Sequence, residues 1–322
     1  MGGVCSPKDI ETMLQLLYLN FTQPRFNKDD VDNLTKMLLA QLANAKSNPD
    51  FLMQEKVADV TYGHNPRRQM ISTEIVNKFD FEQLPGIYAK LYPGANGFVF
   101  TFVGNIDPET LKPLVEKYIG SIPAARKPIN YVDDKAYPVK GEVTEEFTAP
   151  MQQPKVSVNY HFSGEMPYTL KNKMALTQAL NSRYLVSIRE EKGGTYGVRV
   201  QGSTKYIPRE TYSMTISFDT NEEMADELRE IVMKEIEEIA ANGPKSEDIE
   251  KNREFMLKSW KNSLEQNGAW MSYIQIKYGS GLNYIADHEQ AIRDLTNADV
   301  QALAKKILAD GNLVKVVMRP SK

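Results

Sequence analysis

Three histidines, His64, His161 and His288, are the natural candidates for a metal centre, because imidazole nitrogens are common zinc ligands. They stand far apart in the chain, and none belongs to an HxxEH or HExxH pattern. His161 has Glu165 four positions on, but that stretch reads as a strand end, where this spacing does not form a helical ligand pair. On residue types alone the three are scattered surface or hydrogen-bonded histidines. Nucleophilic chemistry has no better footing, since Cys5 lies at the chain start and neither a GxSxG elbow nor a glycine-rich phosphate loop occurs. The acid pairs Asp29-Asp30, Glu145-Glu146 and Glu237-Glu238 fall opposite apolar stripes and read as solvated faces. Trp270, Tyr273 and Tyr278, at helical spacing, read as core aromatics.

One constellation remains. The run 187–198, SIREEKGGTYGV, joins a helix end to a strand start through two glycines, which puts Arg189 in the last helical turn and Tyr196 at the head of the strand. A guanidinium is a fork of donors and a phenol donates one hydrogen bond toward a carbonyl oxygen. The pair can hold an extended peptide or stabilise an oxyanion at a cleft edge. By the same chemistry Arg189 can pair with a helix carboxylate while Tyr196 packs.

The elements that must position these residues follow from periodicity. Apolar residues at helical spacing mark helices over 7–19 and, after an Asn27 cap, through Val31, Leu34, Leu38 and Leu42 to a stop at Asn48-Pro49. Helices are also expected over 51–60, 80–92 and, from an Asp107-Pro108 start, to about Tyr118. Residues 97–103, GFVFTFV, read as a strand buried on both faces. The proline-rich, aperiodic stretch 120–140 reads as a boundary dividing the chain into 1–130 and 131–322. Beyond it, strands are expected over 141–148, 155–162, 195–203, 211–219 and 313–318. A helix is expected over 168–188, and another ends at Asn242-Gly243-Pro244. Ser246 caps the next helix, and Thr296 with Asp299 forms a capping-box-like start to the last. This order is α+β, each half placing a run of helices before a strand near its end.

Composition sets outer bounds. With 322 residues, 39 Lys+Arg against 42 Asp+Glu, a net charge of −3 and 41% hydrophobic residues, the chain is neither disordered nor collagen-like. No local basic patch is evident for nucleic acid, Arg67-Arg68 being too short. A single cysteine excludes an intrachain disulfide and a thiolate zinc cluster. The longest apolar run is far below the roughly 20 residues of a membrane span, so the chain reads as soluble without a span. Met1-Gly2-Gly3 leading straight into a helix reads as the start of a piece of a longer protein. The compartment stays open, periplasmic or exported if a signal peptide precedes this portion.

The segment 185–198, LVSIREEKGGTYGV, resembles the LREEKGLAYSV-like signature of the C-terminal domain in the pitrilysin/insulinase family of zinc metallopeptidases, the inverted zincins. Residues 102–107, FVGNID, then a helix and Gly120-Ser121-Ile122-Pro123, resemble that family's VVGDVD and FG-x-P module, and Tyr62-Gly63-His64-Asn65-Pro66 resembles its YG-x-HP stretch. The resemblance extends from about residue 8 to about 318. It implies two related α+β domains, each a largely antiparallel sheet with helices packed on one face, of the metallopeptidase-like αβ sandwich type. The first, over 1–130, would be partial and lack its leading strands. It also implies that Arg189 and Tyr196 face a peptide chamber and assist catalysis, that zinc is held by an HxxEH half in the same polypeptide or a partner subunit, and that this chain binds none. The chain departs from a catalytic half: it has no HxxEH, and the helix over 31–42 carries no acid from Asn33 to Leu42, with Gln41 about where a distal glutamate ligand would stand. The resemblance therefore points to the C-terminal, zinc-free portion of a metallopeptidase. The alternative is a catalytically inactive homologue serving as a structural or peptide-binding subunit.

Overall fold

Several helix starts in this chain sit where a side chain can accept a freed backbone N–H. Asn27 accepts from Asp29 N at 2.9 Å ahead of α2 (Lys28–Ala45), which follows α1 (Ile10–Thr22). Asn48-Pro49, expected to stop that helix, also starts α3 (Pro49–Thr61): Asn48 accepts from Asp50 N at 2.9 Å, and Pro49 takes the first-turn position, where its missing N–H costs nothing. Ser72 caps the short α4 (Thr73–Asn77), which periodicity had not marked. α5 (Leu84–Leu91) and α6 (Pro108–Tyr118) follow, the latter capped by Asp107.

The computed structural model describes the chain apart from residues 1, 126, 128–130, 179–194, 196 and 322 and the side chains of 176–178 and 248. Two compact units result, one of residues 1–42, 72–132 and 266–275, the other of 43–71, 133–265 and 276–322. In the first, Glu11 of α1 accepts from Lys117 (3.0 Å) and Tyr118 (2.7 Å) of α6. Residues 97–103, expected as a strand buried on both faces, form no ladder, and Val99 is 67% exposed. No described strand lies alongside to take up their N–H and C=O groups. The segment is held instead by its rings: Phe98 and Phe100 pack on Phe21 at centroid distances of 5.3 and 6.2 Å, and Phe98 stacks on Tyr92.

The second unit holds all the described strands: β1 (Glu142–Ala149), β2 (Val156–Glu165), β3 (Val198–Lys205), β4 (Thr211–Thr220) and β5 (Leu313–Pro320), in the order β1-β5-β2-β4-β3. β1 runs parallel to β5, and the other pairings are antiparallel. The remaining helices are α7 (Leu170–Gln178), α8 (Ala225–Asn242), α9 (Ser246–Ser263), α10 (Asn267–Ser280), α11 (Tyr284–Arg293) and α12 (Asn297–Asp310). α9 differs in detail from expectation, since Ser246 is its first residue and Lys245 stands at the cap. Thr296 and Asp299 do form a reciprocal capping box.

One face of the sheet is apolar over β2 and β4. Val158, Tyr160 and Phe162 of β2 lie beside Phe218, Ile216 and Met214 of β4 under α8 and α12, whose Leu228, Val232, Ile236, Val300 and Ile307 are buried. The Tyr160 hydroxyl donates to the Arg229 carbonyl of α8 at 3.2 Å, fixing which face α8 covers. β5 is buried on both faces, with Val314, Val316, Val317 and Met318 all at 3% exposure or less. An apolar central strand must be covered twice, and α3 supplies the second cover, packing Met53, Val57 and Val60 on Val314, Val316, Met318, Val143 and Phe147. The expectation of helices on one face only is thus corrected, because helices lie on both.

Candidate functional site

α3 lies over the β1-β5 side of its face and reaches onto β2. Across β2, β4 and β3 the residues facing the same way are polar, in cross-strand rows set by register: His161-Thr215-Gln201, Ser163-Ser213-Ser203 and Glu165-Thr211-Lys205. A cleft of about 650 Å³ opens over the last two rows, walled by residues 136–140, the 207–209 turn and the end of α12. A smaller hollow of about 200 Å³ lies beneath α3 and shares Tyr62 and His161 with it.

Several contacts hold the cleft's shape. The Arg209 guanidinium lies 3.5 Å from the centre of the Tyr137 ring and makes a 3.0 Å ion pair with Glu165. Arg68 donates through Nε to the Ala136 carbonyl at 3.2 Å, and its guanidinium lies 5.4 Å from the centre of the Tyr62 ring. At the far end the buried Tyr212 hydroxyl donates to Asp310 at 2.8 Å, and Asp310 also receives Lys306 at 3.0 Å. Burial, and then the Asp310 carboxylate, pushes the Tyr212 phenol far above its ordinary range, so it stays protonated and a donor. Gly164 makes this approach possible, since a Cβ there would collide with Asp310 Oδ2 and the Tyr212 ring.

His161 stands on the cleft floor, with Nδ1 3.1 Å from Thr215 Oγ1 and a buried Nε2 that has no hydrogen-bond partner. Burial, reinforced by the Lys205 charge, lowers its pKa to about 4 and keeps the ring neutral. His64 is exposed, 2.6 Å from Asp59. His288 lies between Trp260 and Tyr284, both at 4.3 Å between centroids, and burial, then Lys173, lowers its pKa to about 4. Two of the three histidines are therefore packed into the fold rather than scattered over the surface. Tyr278, expected in the core, is 73% exposed.

Zinc, which the sequence resemblance implies for the whole enzyme, finds no fit here. Among the described residues no three histidine, cysteine or carboxylate side chains gather at one point. Arg189 and Tyr196 lie outside the described residues. Their flanks are described: α7 begins at Leu170, Gly197 N donates to Thr195 Oγ1 at 3.2 Å, and β3 begins at Val198. The cleft residues Lys140, Lys205 and Arg209 carry no mark in the sequence, and Arg68 stands there only in the short pair Arg67-Arg68. The basic patch exists only once distant segments meet around one sheet end. The available signal was polar alternation in three strands, which marks a solvent-facing surface without saying which strands adjoin.

The family model described as "Peptidase M16 inactive domain" matches residues 78–256. The chain belongs to the M16 peptidase family, as its inactive domain. This agrees with the pitrilysin/insulinase resemblance carried by the motifs. The M16 chain is 25% identical over 291 residues to the zinc protease PQQL-like of Arabidopsis thaliana, covering 84% of this chain and 30% of that protein. To the probable zinc protease PqqL of Escherichia coli K12 it is 22% identical over 311 residues, covering 93% and 32%. It therefore spans about a third of the length of these relatives. The crystal structure of the periplasmic protease PqqL from Escherichia coli superposes with a TM-score of 0.80 at 18% identity, over 98% of this chain and 36% of that one. A peptidase M16 inactive domain from Pseudomonas fluorescens gives 0.80 at 19% identity, over 98% and 77%. At these identities the structures share the fold. Among the described residues no helix is long and apolar enough to cross a membrane.

Proposed function

We propose that this M16 inactive domain is the zinc-free, C-terminal portion of a zinc metallopeptidase, forming one wall of its peptide chamber. The observation carrying this reading is the cleft: among the described residues of this M16 inactive domain, the polar part of one sheet face opens into it while a helix packs over the apolar part. Row upon row of hydroxyl and amide side chains suits an extended peptide, whose backbone needs donors and acceptors without a fixed sequence. Zinc and its HxxEH ligands belong to another half, in the same polypeptide or a partner subunit. Residues 1–130 are then a partial first peptidase-like domain and 131–322 the C-terminal one, two related αβ domains. The parent is periplasmic or exported, a reading supported by the periplasmic protease PqqL of Escherichia coli, whose fold this chain shares.

Within the chamber Tyr196 donates to the scissile carbonyl oxygen as negative charge develops there, and Arg189 orients the tyrosine or the substrate backbone. Removing one such donor typically lowers turnover about a hundredfold or more. The test pairs this chain with the HxxEH half encoded upstream or in an adjacent gene and follows hydrolysis of a fluorogenic peptide. Both halves should be required, and Tyr196→Phe should lower kcat about a hundredfold with zinc content unchanged, while Arg189→Ala lowers kcat/KM. Equal rates without this chain overturn the proposal. A second reading, a catalytically inactive homologue that scaffolds or binds peptides, is favoured by the absence of a ligand cluster among the described residues. Near wild-type kinetics for both variants in an active assembly would support it.

A further inference from the structure

The cleft's charge is opposite to that of the molecule. The chain carries −3 overall, yet the cleft lining has five cations, Arg68, Lys140, Lys205, Arg209 and Lys306, against two carboxylates, Glu165 and Asp310. Both carboxylates are already taken, Glu165 by Arg209 and Asp310 by Lys306, each at 3.0 Å. Arg68, Lys140 and Lys205 have no carboxylate within ion-pair distance among the described residues. Arg68 is held by the Ala136 carbonyl and the Tyr62 ring, contacts that do not neutralise it. The Lys205 charge is felt at His161 on the floor, where it disfavours protonation. Between these cations the Ser163-Ser213-Ser203 row lays three hydroxyls side by side, donors suited to an oxyanion.

We infer that this cleft selects acidic peptide segments, their carboxylates being held by Arg68, Lys140 and Lys205 over the serine row. The inference rests on the peptide-wall reading above and adds a substrate class to it. A groove of one sign in an otherwise acidic surface concentrates ligands of the opposite sign and repels like-charged ones, so its main products are discrimination and on-rate. Nucleic acid is the weaker match, because three unpaired cations fall short of the 6–10 phosphate contacts typical of tight binders.

The experiment uses the full chain and three fluorescently labelled probes of equal length: a Glu/Asp-rich peptide, a Ser/Gly/Ala peptide, and a single-stranded oligonucleotide. Fluorescence anisotropy at two salt concentrations should show the acidic peptide bound at least tenfold more tightly than the neutral one, with that advantage shrinking at high salt. Lys140→Ala and Lys205→Ala should each weaken acidic-peptide binding about threefold, the expectation for a partly solvated ion pair. Lys205→Glu should weaken it more, while the neutral peptide is unaffected. Both lysines are exposed, and unchanged circular dichroism and melting confirm that the variants fold. Equal binding of acidic and neutral peptides, insensitive to these substitutions, overturns the inference and leaves the peptide-wall reading in place. Tighter binding of the oligonucleotide overturns the choice of ligand. If neither peptide binds, both readings fall.

Discussion

The two halves of one sheet face behave as opposites. Over β1 and β5 the face is Val143, Phe147, Val314, Val316 and Met318, with Glu145 among them paired to Lys56 of α3, and α3 packs over it. Over β2, β4 and β3 it is serine, threonine, histidine and lysine; much of its β2 row is buried, and it opens at the cleft toward β4 and β3. The same strands present a continuous apolar surface to α8 and α12 on the other side. The difference teaches that the polar half is not a failure of packing. Among the described residues, α3 ends at Thr61 and the cleft opens beside it.

The sharpest way to break this comparison is to make the sealed half resemble the open one. Val316 has no exposed surface. Val316→Asp would bury an unpaired carboxylate and should cost about 4 kcal/mol or more, enough to unfold the second unit in denaturant melts. Ser203→Ala, on the open half, should shift stability by less than about 0.5 kcal/mol. Similar losses for both would erase the distinction.

Acid probes the seam between the halves. His161 has its pKa lowered to about 4 from an ordinary 6.5, so between those values the unfolded chain binds the proton that the folded chain refuses. Its contribution is fully present above about pH 6.5, falls as pH drops, and is lost by about pH 4, up to roughly 3 kcal/mol in all. His288 acts in the same direction through the same window. Denaturation at pH 7 and pH 4.5 should show a clear loss for the parent chain and a smaller one for His161→Gln. An unchanged pH slope in that variant would remove His161 from the account.

A smaller effect is expected at the cleft's end. Tyr212→Phe removes the 2.8 Å bond to Asp310, which retains Lys306. The cost should be about 1 kcal/mol in chemical melts. A loss above about 3 kcal/mol would mean that the tyrosine anchors the sheet rather than trimming the cleft.

Much of this was legible in the sequence where the cause is local. Asn27, Asp107 and the Thr296/Asp299 box announce their helices, because a cap acts within a few residues. The five strands of the sheet were each expected within a few residues of where they stand. Residues 97–103 misled because composition reports an affinity for β structure but not the presence of a neighbour to pair with. The cleft was out of reach for a related reason. Arg68, Lys140, Lys205 and Lys306 come from four separate segments, and only the order β1-β5-β2-β4-β3 brings them to one sheet end. Arg189 and Tyr196 were conspicuous by motif, and their role is a proposal.

Amide hydrogen exchange of the full chain with and without a bound acidic peptide tests the central claim most directly. The polar half should be protected, with slowed exchange over 136–141 and in the edge strand β3 (Val198–Lys205), while α3 and β1 stay unchanged. Protection confined to α3 and β1, or binding with no change across the polar half, would contradict the account.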